Sequence, residues 1–513
     1  MRVVIQSHGF FCYPEGDLER TVLDRFAGRF IQTEKSMDPR TKQIVENVKA
    51  YYGTLTADKN EYGFLRRALP EFEKFMSESG FGHRVKYEQK QRYTPSRHSD
   101  MNIVPPFAPR GQQSEALAYA IADALDRTIE AATGFGKTIT AFFVMDHFKE
   151  RTAVVMGATH IPTWTSCGSQ YMGMGPGDVM VIKGSASLKG AVKLARDGML
   201  YSKVLLFSAE TIRNFIKEYE DIEPSTYDFT PHELWELLGV GRIFRDESHE
   251  AIESSVKQVI YSNVPNITYL SATLVSDNSY INKIYDYIFG KKKERWKSDN
   301  NKHIAVRPLF HMMNRYLLKK GFRYKGPRGY SHVLYEKHIL KRKRVLKQYL
   351  DFIEKSLHAS YFKRYEPGMK AIVLCSSIPM CETIKKFFSE KYPSFTFGGF
   401  YDGAKKEELY ERDVVISTPK GAGTGKDIPG LGALIQTIAV NSVQLNLQIM
   451  GRLRPVELLG VKRPDIEPLY IYFVNNDIPQ HRAYHNKRLQ DVADKCKDIK
   501  IIYSNFYLGQ DAA

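Results

Sequence analysis

Cysteine is scarce in this chain of 513 residues, and Cys12, Cys167, Cys375, Cys381 and Cys496 are scattered with no Cys-x-x-Cys pair. That spacing excludes a zinc ribbon, a disulfide framework and an iron–sulfur cluster. Cys375 and Cys381 flank a strand-to-helix passage and read as core thiols. Long apolar runs are missing too. None approaches the ~20 residues needed to cross a bilayer, and the N-terminus has no cationic stretch leading into a long apolar run. These absences predict a reducing, cytoplasmic, membrane-free protein. Acidic residues are in short supply: 58 Asp and Glu face 74 Lys and Arg, for a net charge of +16. The whole excess sits in residues 291–347, where nineteen Lys or Arg meet only Glu294, Asp299 and Glu336.

What the chain does have is ordinary globular material, 43% hydrophobic and 26% charged, with length for about three domains. The most informative stretch runs from Ala131 to Thr138, Ala-Ala-Thr-Gly-Phe-Gly-Lys-Thr, between strand-like Arg127–Glu130 and apolar Ile139–Met145. Glycines at such a junction turn backbone N–H groups inward, the helix N-terminus adds partial positive charge, and the lysine reaches outer phosphates. The threonine hydroxyl is placed to ligate Mg²⁺. A helix-capping glycine turn can produce the same Gly-Lys-Thr. Asp246-Glu247-Ser248-His249, after strand-like Gly241–Phe244, turns the balance. Phosphoryl transfer needs one acid to hold the metal and a second group to orient the attacking water. The two motifs together predict a nucleoside triphosphatase.

In chain order, residues 1–95 predict a small α+β domain for docking or substrate handling. It holds a strand at Arg2–Gln6, a helix over Asp17–Phe26 burying Leu18, Val22, Leu23 and Phe26, and a second helix burying Leu69, Phe72, Phe75 and Met76. Residues 96–109 form a proline-rich linker. Gln113, just beyond it, has an amide able to read an adenine edge. Compact apolar runs at 153–156, 179–182, 203–207 and 267–270 predict a doubly wound first α/β domain over residues 110–300. Residues 301–350 are basic and interleaved with aromatics, as expected of a nucleic-acid track. A solvated basic face has the same composition. The alternation resumes over 351–480 without a second phosphate loop, where an arginine can still serve a transferring phosphoryl group. Residues 481–513 form a C-terminal segment.

The order of motifs resembles superfamily 2 helicases over residues ~110 to 475. The resemblance rests on Gln113 (adenine motif), Ala132–Thr138 (motif I), Asp246–His249 (II), Ser271-Ala272-Thr273 (III), Thr418 with Gly425–Pro429 (V), and Gln448 with Gly451-Arg452 (VI). It implies two tandem RecA-like domains of the P-loop NTPase class, preceded by the small α+β domain. ATP and Mg²⁺ are the implied cofactors. Gln113, Thr133, Gly134, Phe135, Gly136, Lys137, Thr138, Gly425 and Asp427 would bind the nucleotide, and Thr138 and Asp246 the metal. Glu247 would orient water, with Lys137, Asp246, Gln448, Arg452 and Arg454 completing the catalytic set. The family usually places a second arginine three residues after the first, where this chain has Pro455, so Arg454 as a second finger stays open. Ser271, Thr273 and His249 would couple nucleotide state to movement. Motif Ia keeps only Thr159 of the usual Pro-Thr.

More narrowly, the layout resembles phage UvsW-type fork- and junction-remodelling helicases, with Tyr335-Glu336-Lys337 running into Lys341-Arg342-Lys343-Arg344 as in that group. This implies branched DNA as substrate, a motor able to work as a monomer, and the host bacterial cytoplasm as its location. Thr159, Thr211, Thr418, Phe322, Tyr324, Lys341 and Arg342 form the expected nucleic-acid set. Three alternatives stay open: an RNA helicase of the same superfamily, a duplex translocase that does not separate strands, and an ATPase-dead binding scaffold.

Overall fold

A computed structural model describes the chain except residues 38–43, 104–107, 132–133, 222–223, 250, 273, 277, 299–301, 328, 406, 423–427, 456–458, 460–465 and 511–513. Two compact units emerge, one built from Met1–Ala131 and Phe135–Ser298 and one containing Asp299–Ala513. Among the described residues no helix is long and apolar enough to cross a membrane.

The first unit begins with strands β1 (Arg2–Ile5) and β2 (Gly9–Tyr13), a hairpin of β3 (Ile31–Met37) and β4 (Ile44–Tyr51), and β5 (Thr54–Leu55), β6 (Tyr62–Leu65) and β7 (Lys86–Gln89). Five of these form a sheet in the order β5-β6-β2-β1-β7. Helix Asp17–Ala27 buries Val22, Leu23 and Phe26 against it, as its 3.6-residue spacing requires. Leu18, expected on the same face, is instead 60% exposed. It lies at the second helical position, before the stripe turns inward. Helix Leu69–Glu78 buries Leu69, Phe72, Phe75 and Met76.

The α/β part contributes β8 (Asp126–Glu130), β9 (Thr152–Met156), β10 (Val179–Ile182), β11 (Val204–Ser208), β12 (Arg242–Asp246), β13 (Asn266–Ser271) and β14 (Trp296–Lys297). All are parallel, ordered β10-β11-β9-β12-β13-β8-β14. Helices cover both faces, so the inner strands are almost wholly buried and read as apolar runs.

Residues 1–95 are not set apart from this sheet. Phe10, Phe11, Phe26, Phe64 and Phe72 share one continuous core with Val256, Val259, Ile260 and Tyr261 of the helix Ile252–Ile260 region. Polar groups lock the same seam. The Ser7 N–H and hydroxyl donate to Asn263, and Arg67 reaches Asp126 at 2.7 Å and Glu294 at 2.8 Å. The proline-bearing stretch also runs along the body: Ser96 N–H donates to Gly239 C=O, Arg151 N–H donates to Ser96 C=O, and Met101 is buried.

In the second unit β15 (Ala305–Met313) is followed by a small hairpin of β16 (Lys325–Gly326) and β17 (Gly329–Tyr330). Then come β18 (Lys370–Leu374), β19 (Phe397–Phe400), β20 (Val414–Ser417), β21 (Leu431–Gln436), β22 (Leu469–Asn475), β23 (Asp498–Ile499) and β24 (Ile502–Leu508). The parallel order is β19-β20-β18-β21-β22-β15-β23, with β24 also on β15. The fold is therefore α/β with two doubly wound, RecA-like sheets. The basic segment is built into the second sheet and not strung between domains. β15 pairs along its length with β22, and helices His332–Leu340 and Lys343–Ser360 bury Tyr335, Ile339, Tyr349, Phe352 and Ile353.

Candidate active site

The phosphate loop leaves the C-terminal end of β8, where the Ala131 N–H donates to Ser271 C=O at the end of neighbouring β13. Gly134 and Gly136 take φ values of +90° and +91°, which a residue with a Cβ adopts only under strain. Gly136 caps helix Lys137–Phe148, and a Cβ there would lie 2.3 Å from the Gln113 amide nitrogen. That amide is buried, donating to Phe135 C=O at 2.9 Å and accepting from the Arg110 N–H at 2.9 Å. The adenine-motif glutamine and the loop thus form one hydrogen-bonded piece. Phe135 packs on Trp296 of β14, centroids 5.3 Å apart. Thr138 is half-buried in the first helical turn.

Asp246 ends β12, two strands from β8. Glu247 follows at φ +46°, a left-handed conformation that costs a non-glycine residue free energy. The Glu247 N–H donates to Asp246 Oδ1 at 3.0 Å, and Trp164 Nε1–H donates to Asp246 Oδ2 at 2.9 Å. Lys137 Nζ donates to Ala131 C=O at 3.0 Å and stands 3.5 Å from Glu247 Oε1. His249 Nδ1 shares a hydrogen bond with the Ser271 hydroxyl at 2.8 Å. Glu130, at the end of β8, accepts from the Leu274 N–H, so the segment after Ser271 is tied to the strand feeding the loop.

Burial and the adjacent Glu247 charge hold the Asp246 carboxyl above the ordinary carboxylate range. Burial pushes Glu247 the same way, but Lys137, then His249 and His160, outweigh it and leave Glu247 below that range. Burial lowers His249, which keeps its imidazole neutral. One acid is thus favoured in its ionised form beside a lysine, while burial and that neighbouring charge disfavour ionisation of the other. Among the described residues the buried Glu247 Oε2 accepts no hydrogen bond, although His249 Nδ1 stands 3.5 Å away. Such an atom calls for water or an ion. Thr138, Asp246 and the glycine cradle fit a nucleotide with Mg²⁺.

Thr418 of the second unit, after β20, accepts from the Gly421 N–H at 3.3 Å. Gln448 lies half-buried in helix Val443–Met450, and Arg452 and Arg454 are buried in the turn beyond it. His303 Nε2 bonds Leu453 C=O and pins that turn. Thr133, Thr273, Gly425 and Asp427 lie outside the described residues.

The nucleic-acid set divides. Thr159 and Lys341 are exposed, and Tyr324 is half-buried. Phe322 is 3% exposed and packs against Tyr335 and His338, so it is a core residue and not a face for stacking bases. Arg342 spends its guanidinium on His338 and Lys320 C=O, and the Thr211 hydroxyl accepts from the Gly184 N–H in a buried position. All three belong to the expected nucleic-acid set. Packing uses them internally. Trp164 was missed, because nothing local in its sequence announces a partner 82 positions away.

Residues 107–276 match the family described as Type III restriction enzyme, res subunit. The matched span contains the phosphate loop and the acid pair, and it lies within a fold of two doubly wound, RecA-like sheets. Among solved structures it is similar to T4 UvsW, at 12% identity over 98% of this chain and 99% of that one, with a TM-score of 0.35. It is also similar to S. cerevisiae Dbp5 bound to RNA and ADP BeF3, at 11% identity over 78% of this chain and 90% of that one, with a TM-score of 0.46. No curated protein matches it in sequence.

Proposed function

We propose that the chain is an ATP-dependent DNA helicase or translocase that remodels branched DNA, by fork regression, branch migration or unwinding, in phage replication, recombination or repair. The observation that carries the reading is the convergence of Lys137, Asp246, Glu247, His249 and Ser271 at the C-terminal ends of β8, β12 and β13. The glycine loop and Lys137 would hold the phosphates, Gln113 braces that loop through Phe135 C=O, and Thr138 with Asp246 would hold the metal. Mg²⁺, when bound, neutralises charge on the phosphates. Glu247, kept ionised by Lys137, orients the attacking water and takes its proton. His249 passes the state of Glu247 to Ser271, at the start of the segment anchored on Glu130. Arg452 is the arginine-finger candidate, with Arg454 beside it.

DNA is favoured by motif II, which ends in Ser248-His249 where RNA helicases of the superfamily commonly have Ala-Asp. Exposed Arg315, Lys320, Arg323, Lys325, Lys337, Lys341, Lys343, Arg344 and Lys347 supply cations for a phosphate backbone. Steady-state ATP hydrolysis tests the reading, measured without nucleic acid and then with RNA, single-stranded DNA, duplex, fork and four-way junction at one salt concentration. Strongest stimulation by forks or junctions supports it. Strongest stimulation by RNA replaces the substrate class, and duplex stimulation without strand displacement makes the chain a translocase. No turnover with any of them leaves a scaffold.

A further inference from the structure

The hydrogen bond from Trp164 to Asp246 has no counterpart in the motifs that define the site. Trp164 lies in helix Ile161–Met172, 2% exposed, with its indole N–H 2.9 Å from Asp246 Oδ2. Its ring meets Phe142 edge-on, centroids 5.6 Å apart, on the helix that begins with Lys137. The other carboxylate oxygen, Oδ1, accepts from the Glu247 N–H. Among the described residues each Asp246 oxygen therefore accepts one hydrogen bond, and together the two donors orient the carboxylate. Indole N–H is a donor only, so it holds Asp246 without competing for a cation. The helix that carries Trp164 starts directly after the turn bearing exposed Thr159 and half-buried His160.

We propose that Trp164 is a positioning residue, whose N–H orients the Asp246 carboxylate for Mg²⁺ and links the Thr159 turn to the metal site. The inference rests on the ATP-site reading above. Hydrogen-bonding partners behind a metal-binding carboxylate typically set metal affinity by 10- to 100-fold. Among the described residues this bond joins helix Ile161–Met172 directly to the Asp246 carboxylate. Polynucleotide bound at the Thr159 turn would then alter the Mg²⁺ requirement.

The test is the Mg²⁺ concentration that half-saturates binding of a fluorescent ADP analogue to the full chain, with and without forked DNA. In Trp164→Phe it is expected to rise at least about 10-fold and to stop responding to DNA, while Mg²⁺-free nucleotide affinity is unchanged. Phe142→Leu, which loosens the packing but leaves the bond, is expected to lower the melting temperature with no change in Mg²⁺ requirement. An unaltered requirement in Trp164→Phe, or the same rise in Phe142→Leu, overturns the proposal. Should Trp164→Phe fail to fold, the wild-type chain decides. Its indole ¹⁵N–¹H signal from Trp164, assigned by elimination against Trp235→Phe and Trp296→Phe, must move with Mg²⁺·ADP and not with Mg²⁺-free ADP, and a stationary signal refutes the role. Failure of the wild type to bind Mg²⁺·nucleotide at all overturns both the site reading and this one, whereas normal binding indifferent to Trp164 overturns this one alone.

Discussion

A single methyl group tests whether residues 1–95 are part of the first α/β body. Gly9 sits in β2, and a Cβ built there would lie 2.2 Å from the carbonyl oxygen of Ile260, 2.9 Å from its carbonyl carbon and 3.0 Å from its Cα. All three are backbone atoms at the end of helix Ile252–Ile260, so no side-chain rotation relieves the contact. Gly9→Ala must separate strand and helix by about 1 Å, and overpacking of this kind costs about 1–3 kcal/mol. The shift would propagate into Phe11 against Tyr261 (5.2 Å) and Phe11 against His232 (4.3 Å). For a body of this size 1 kcal/mol moves the melting temperature by about 2–4 °C. Differential scanning calorimetry should therefore show the first unit's transition about 5 °C lower. Gly190→Ala is the control of opposite sign. Gly190 lies inside helix Ser185–Arg196 with no atom within 4 Å of the added Cβ, so alanine should stabilise by about 0.4–1 kcal/mol. An unchanged melting temperature in Gly9→Ala would refute the shared core, and with it the view that the N-terminal strands belong to the body of the first parallel sheet.

Two further outcomes follow from the site and the second core. Glu247→Gln should lower ATP turnover at least about 100-fold while nucleotide and DNA still bind, and Lys137→Ala should abolish turnover with DNA binding largely kept. Loss of DNA binding in both, seen by fluorescence anisotropy, would mean that these side chains hold the fold or the DNA surface. Glu336, wholly buried, accepts from the Ser376 N–H and the Ser377 hydroxyl, and burial pushes its pKa up from 4.5 to about 7. A raised folded-state pKa favours the native state below the unfolded value and loses that contribution as pH rises through the folded one, here between about 4.5 and 7. The loss is on the order of 3 kcal/mol. Glu336→Gln should match wild type at pH 5 and exceed it at pH 8 in thermal melts, and a constant difference across that range would contradict the assignment.

The sequence by itself determined the elements whose signals are local. Gly134, Gly136 and Lys137 sit in a strand–turn–helix because only that order of β-propensity, glycine and helix former satisfies the backbone. Asp246 falls at a strand end for the same reason, and the buried parallel strands appear as unbroken apolar runs. These residues by themselves predict a phosphate-binding chemistry. Tertiary structure decided everything that depends on which faces meet. Composition read residues 301–350 as a basic track, yet β15 in that stretch pairs with β22 and its neighbouring helices enclose Phe322. Cation counts do not reveal that apolar residues between them point inward. Proline content suggested a free linker before Gln113, but Ser96 and Met101 are held by partners remote in sequence. The strained backbone of Glu247, the balance of Lys137 against two adjacent acids, and the Trp164 bond to Asp246 arise only when strands far apart in the chain are brought side by side. The ends of those strands are where burial raises the energy of a charge enough for a single neighbour to set its state.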